Sequence, residues 1–181
     1  MYTAIRKKRR NPAKTYAIAV VVILMLLIVG FHLRIKINGE MPYGLYYTVS
    51  DVQQMVGDYV LVCLPPQASE DGIKLGFIAE GSCAGGAMPV IRQIVALSGS
   101  VNVGLNGLEI NGDRLPLSQR ETYNKVGRLI PAIDPGNYDI KAGQMWSMGT
   151  GANRYNSWDS RYFGAVPSSN VIYTYRLVWE W

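Results

Sequence analysis

Hydrophobic and polar positions along this chain change their spacing once, near residue 34. From Tyr16 to Leu33 the sequence YAIAVVVILMLLIVGFHL runs without an acidic residue, a Lys or an Arg. At about 1.5 Å rise per residue, such a run comes close to crossing a hydrocarbon core of about 30 Å. A helix satisfies its own backbone polar groups, as that setting requires. The pattern therefore predicts a transmembrane helix over 15–33. Beyond Arg34, short segments rich in β-branched and aromatic residues alternate with Gly, Pro and polar turns. Strands are predicted at 44–49, 58–63, 90–97, 101–103, 108–110 and 171–178. Asn106-Gly107 and Asn111-Gly112 read as hairpin turns. No segment after the anchor sustains a helical period. The expected fold is mostly β, a folded sheet or partly closed barrel behind one N-terminal helix. Residues 113–140 offer little beyond an Asp134-Pro135-Gly136 turn.

The 181 residues suffice for one domain plus an anchor. Charged residues make up only 17% and the formal net charge is +5. Arg6, Lys7, Lys8, Arg9, Arg10 and Lys14 all precede the apolar run, and without them the chain is close to neutral. No basic groove for nucleic acid is implied. A positive cluster before a span keeps the N-terminus in the cytoplasm. The organisation expected is a basic cytoplasmic tail (1–14), an anchor (15–33) and a periplasmic β domain (34–181) at the bacterial inner membrane. A cleaved signal peptide is the rival reading. The run is longer than a usual signal core and ends in Phe31-His32-Leu33-Arg34, with no small-x-small site. Cys63 and Cys83 are the only cysteines, so they form either a disulfide or two free thiols, and an oxidising compartment favours the bridge. Two thiols and one distant histidine make no metal site, and nothing calls for a cofactor.

Four segments resemble, in order, the boxes of the type I signal peptidase family in its TraF-like branch. Glu40-Met41-Pro42-Tyr43-Gly44-Leu45-Tyr46 is similar to the branch's Ser-x-Pro-x-Gly-Leu-Tyr. Asp58–Pro66, with Gly81-Ser82-Cys83 after it, resembles the second box and the branch's second cysteine. Ile91–Ser100 is similar to Lys-Arg-Val-x-x-Leu-Pro-Gly-Asp. Ser157-Trp158-Asp159-Ser160-Arg161-Tyr162-Phe163-Gly164 matches the last box almost letter for letter.

The resemblance implies a serine–lysine dyad, in which a neutral lysine takes the proton of an attacking serine. Burial makes a lysine neutral by disfavouring its charged form. Here Glu40 stands at the nucleophile position and Arg92 at the base position. A guanidinium stays protonated, so Arg92 cannot be that base. If Glu40 and Arg92 face each other as serine and lysine do, they can pair through two hydrogen bonds and plug the old cleft. Asp159 and Arg161, with Ser157 beside them, are expected to form a supporting network, and the resemblance also brings Asp159 within reach of Arg92. Met41, Pro42, Tyr43 and Gly44 shape the turn presenting residue 40 and are expected to meet substrate.

Two functions follow as expectations. In the first, the chain is a catalytically inactive homologue that binds a pilin precursor or a transfer or secretion apparatus protein as an extended strand. In the second, it is an active serine endopeptidase or transpeptidase that processes a pilin precursor through another dyad. Lys36 and Ser50 are the nearest candidates for that dyad, and neither has the box spacing.

Overall fold

A computed structural model describes residues 12–36, 41–49, 54–104, 106–150 and 156–180. The first element, α1 (Pro12–His32), is a 21-residue helix whose apolar side chains from Ile18 to Leu27 are exposed. Among the described residues no helix is long and apolar enough to cross a membrane. The stretch 12–27, over which side chains are described without a break, rises about 24 Å. Helix α1 covers residues 15–32 of the span expected from sequence, and Leu33 opens β1.

Strands follow in two open sheets, which replace the partly closed barrel expected from sequence. The larger contains β1 (Leu33–Lys36), β2 (Gly44–Val49), β3 (Tyr59–Val62), β4 (Val90–Ala96), β9 (Gln144–Met148), β10 (Val166–Pro167) and β11 (Val171–Glu180). Its order is β1-β2-β11-β3-β4-β9-β10, with neighbouring strands antiparallel. The smaller has the order β7-β6-β5-β8, from β5 (Gly99–Gly104), β6 (Gly107–Ile110), β7 (Asp113–Arg114) and β8 (Gly136–Ile140). Asn111 (φ 52°) and Gly112 (φ 90°) join β6 to β7. Positive φ at both central residues is what a tight primed turn needs, which explains the Asn-Gly pair.

Two helices after β1 add to the mostly β fold, in a region where the sequence shows no sustained helical period. The first, α2 (Pro66–Lys74), starts with a proline in its first turn and ends with Lys74 in its last. Both placements suit helix ends. Gly72 lets it close on the core, because a Cβ there would meet Ile78 at 2.8 Å and Trp158 at 2.9 Å. The second, α3 (Ser160–Phe163), is one turn capped by Asp159.

The core lies on both faces of β9. Met145 packs with Val60, Val62, Ile94, Trp158 and Tyr162 on one side. Trp146 and Met148 pack with Val101, Val103, Leu108 and Ile140 on the other. Cys63 and Cys83 form a disulfide with Cα atoms 5.5 Å apart. Closing that loop restricts the unfolded chain and stabilises by about 3 kcal/mol in the chain-entropy account. Asp58 and Arg176 clamp β3 to β11 through two hydrogen bonds of 2.7 and 2.8 Å. The Asp58 hydrogen bonds in particular hold the Arg176 charge above its ordinary range.

A third, smaller cluster fixes the segment after residue 40. Met41, Tyr46 and Tyr59 are buried together, with Ile91 and Leu177 packed on them. The Tyr46 hydroxyl donates to the Pro42 carbonyl at 2.8 Å, and its ring meets Tyr59 edge-on at 5.5 Å. Gly44 is forced by close approach, since a Cβ would lie 2.5 Å from the Trp179 carbonyl oxygen.

Burial, with Tyr59 and Glu180 adding to it, pushes the Tyr46 hydroxyl up to about 12. An unfolded chain loses that proton first, so Tyr46 contributes stability that is full below about pH 10 and drains away as pH rises towards 12. Replacing Tyr46 by Phe is expected to cost about 1 kcal/mol at neutral pH, for the lost hydrogen bond. It is also expected to flatten the decline in stability above about pH 10. Denaturant titrations of both proteins across that range check this.

Candidate functional site

Arg92 sits on β4 opposite Val60 of β3. Its neighbour Ile91 packs on the Met41–Tyr46–Tyr59 cluster, which brings the 41–46 box alongside the strand carrying Arg92. The guanidinium is half-buried and donates to two backbone carbonyls, Ile91 at 2.6 Å and Trp158 at 2.8 Å. Those contacts aim the group at the last box. Glu40 and Ser50 lie outside the described residues, and so does the expected Glu40–Arg92 pair. In the turn that follows residue 40, Met41 and Gly44 are buried, Pro42 is half-buried and Tyr43 is exposed.

Asp159 and Arg161 form a fully buried ion pair in a fork geometry. Arg161 Nε meets Asp159 Oδ1 at 2.8 Å and Nη2 meets Oδ2 at 2.9 Å. Two backbone amides also donate to the carboxylate, Gly149 at 2.9 Å and Arg161 at 3.1 Å. Arg161 Nη1 donates to the Gln119 carbonyl at 2.6 Å, so the guanidinium also ties down the segment between β7 and β8. Burial opposes the Arg161 charge, but Asp159 more than compensates, and the group is held above its ordinary range. Burial raises the Tyr162 hydroxyl as well; that oxygen accepts from the Glu121 amide at 2.9 Å.

The Asp159 carboxylate is engaged by Arg161 and by the Gly149 amide, while Arg92 reaches the Trp158 carbonyl one residue earlier. A short bidentate pair leaves few free lone-pair directions on a carboxylate. Asp159 therefore braces the frame, and its neighbour's carbonyl holds Arg92.

Several residues that the sequence reading passed over complete the frame. Trp158 stacks between Phe77 and Tyr162, at 5.9 and 5.3 Å between ring centres, and donates from Nε1 to the Ala68 carbonyl at 2.7 Å. Ser160 Oγ accepts from the Ser147 amide of β9 at 3.0 Å. Gly149 has no room for a side chain, because a Cβ would collide with the Ser157 side chain. The Trp between Ser157 and Asp159 was a visible signal, being a large aromatic within a box of polar residues. Gly149 carried none.

A cleft of about 500 Å³ opens in front of these groups. Ile91, Arg92, Gly149, Ser157, Trp158, Phe77 and Leu75 are among the residues that line it. Ser157 is buried, and its hydroxyl finds no hydrogen-bond partner among the described residues. Arg92 lines the same cleft as Ser157, and a guanidinium does not remove protons from hydroxyls. Among the described residues, the arrangement offers a walled recess with hydrogen-bonding and basic side chains.

Comparisons with known proteins agree with this frame. Residues 9–181 match the family described as signal peptidase, peptidase S26. The chain is 32% identical over 151 residues to a plasmid transfer protein TraF of Escherichia coli, covering 82% of this chain and 83% of that one. It is 30% identical over 143 residues to a probable conjugal transfer protein TraF of Sinorhizobium fredii, covering 77% and 72%. A conjugal transfer protein TraF of Agrobacterium tumefaciens is 31% identical over 144 residues, with 77% of each chain covered. With its four boxes in order and these relatives aligned over most of its length, the chain belongs to the S26 signal peptidase family, in the branch of the TraF conjugal transfer proteins.

Proposed function

We propose that this chain is a membrane-anchored TraF-like protein that no longer performs the serine–lysine reaction. It holds an extended polypeptide, a pilin precursor or a component of a transfer or secretion apparatus, at the outer face of the bacterial inner membrane. The observation that carries this reading is Arg92. At the position where the family's chemistry needs a neutral amine stands a permanently charged guanidinium, seated on the carbonyls of Ile91 and Trp158. Glu40 at the nucleophile position is acceptor-only when ionised and cannot replace an attacking hydroxyl there.

The rest of the architecture suits holding a strand. The sheet order ends on β1 and β10, and such edge strands offer main-chain groups to an added strand, from which affinity comes without catalysis. The anchor rests on the sequence from Tyr16 to Leu33, on the helical backbone from Pro12 to His32 and on the basic cluster before it. The relatives' names place those proteins in plasmid and conjugal transfer, and this reading extends the same setting to the present chain.

Co-expression with a pilin precursor of the same transfer system tests the proposal. Intact mass spectrometry of the precursor is expected to show it unprocessed with the wild type, while the precursor co-purifies with it. Cleavage is expected to appear only when Glu40→Ser and Arg92→Lys are combined. Cleavage by the wild type, abolished in Glu40→Ala, would overturn the proposal.

A further inference from the structure

Residues 122–130 form a small hairpin within the stretch from which the sequence offered little. Ile130 donates to the Thr122 carbonyl at 2.9 Å, Asn124 to the Arg128 carbonyl at 2.9 Å, and Tyr123 bridges Leu129. Gly127 closes the turn. Its amide donates to the Asn124 carbonyl at 2.9 Å, and its φ of 75° is a left-handed value that glycine reaches without strain. The Asn124 side chain works in two directions. Its Oδ1 accepts from the Val126 and Arg128 amides at 3.1 and 2.8 Å, which shapes the tip. Its Nδ2 donates to the Leu75 carbonyl at 2.9 Å, just past the end of α2. Arg128 Nη1 adds a second tie, to the Lys74 carbonyl at 3.0 Å. Carbonyls at a helix C-terminus have no partner inside the helix, so these two donors dock the hairpin where acceptors are open.

The side chains held by this framework are apolar and exposed: Val126 is 74% exposed, Leu129 63% and Tyr123 60%. Of the three, Val126 lines the cleft, together with Asn124, Leu75, Phe77, Ile91 and Trp158. Ordering a solvated tip costs backbone entropy, and an apolar residue there gains nothing from water. Both are offset when a partner side chain meets Val126, because a wall already in place loses little freedom on binding.

We propose that the 122–130 hairpin is the specificity-determining wall of the cleft. Asn124 is the positioning residue that fastens it to the end of α2, and Val126 is the contact for an aliphatic side chain of the held polypeptide. The inference rests on the peptide-holding reading above and adds the element that chooses among peptides. A Val side chain is favoured there over a Thr of the same shape, whose hydroxyl would lose water without gaining a partner at Val126.

Fluorescence anisotropy on the full chain in detergent micelles tests it, with a labelled Gly-Ser peptide carrying Val residues and its counterpart with Thr in their places. The Val peptide is expected to bind about tenfold tighter, short of the roughly hundredfold that an enclosed apolar pocket reaches. Val126→Thr, at a site too exposed to threaten the fold, is expected to cut that preference about threefold through loss of one methyl contact. Asn124→Asp keeps an acceptor for the tip amides but has no donor for the Leu75 carbonyl. It is expected to cut the preference similarly while hydrogen exchange at the Val126 and Arg128 amides stays protected; in Asn124→Ala that protection falls too. A merely structural role for Asn124 would weaken both peptides alike and leave the preference intact. Equal binding of the two peptides, tighter binding of the Thr peptide, or an unchanged preference in either Val126→Thr or Asn124→Asp overturns the inference and leaves the peptide-holding reading in place. Binding of neither peptide overturns both.

Discussion

Asp159 and Arg161 meet with no exposed surface on either side chain, and much of the β domain is arranged so that they can. An isolated charge in such a place costs several kcal/mol in lost hydration, and two charges recover that cost only with good geometry and further hydrogen bonds. Both conditions are met. The fork is bidentate, and amides from Gly149 and Arg161 serve the carboxylate while the Gln119 carbonyl serves the guanidinium. Each of those partners belongs to a different stretch of chain. The pair thereby joins the end of β9, the one-turn helix α3 and the connection between β7 and β8, and the side chain of Ser157 closes over Gly149. A pair of this kind adds little net stability but penalises arrangements that leave either charge alone.

Chemistry is separable from that frame. The same box that holds Arg161 presents the Trp158 carbonyl outward, and this oxygen receives Arg92. A lysine amine in that seat would lose water and shift towards neutrality, which is how the family's base is made. A guanidinium in the same seat keeps its charge and uses its flat array of donors on carbonyl oxygens. A change of side chain in that seat therefore needs no change of fold. The cleft and the aromatic stack of Phe77, Trp158 and Tyr162 are built around the same box.

The strands legible in the sequence were those rich in β-branched and aromatic residues. The residues of β2, β3, β4, β5 and β11 alternate or are β-branched, and β6 announces itself through the Asn111-Gly112 turn after it. Strand β9 was missed because both its faces are buried. Met145, Trp146, Ser147 and Met148 show no alternation and no β-branched residue. Strand β8 was missed because Gly136, Asn137 and Asp139 are poor strand formers that Ser100, Asn102 and the rest of β5 recruit through pairing. Helix α2 is nine residues long, opens on Pro65-Pro66 and contains Gly72, so its local signals read as a turn. At the site, the Asp159–Arg161 pair was legible because the partners are two residues apart. The clamp between Asp58 and Arg176 spans 118 residues and depends on β11 crossing between β2 and β3, which no local pattern reveals.

The account turns on Asp159 bracing the frame through Arg161 and not serving the group at position 92. Double-mutant cycles on folding stability measure this directly, pairing Asp159→Asn with Arg161→Met in one cycle and with Arg92→Met in the other. The account predicts a coupling of about 1.5 kcal/mol or more for Asp159 with Arg161, and about 0.5 kcal/mol or less for Asp159 with Arg92. A larger coupling to Arg92 than to Arg161 would contradict it.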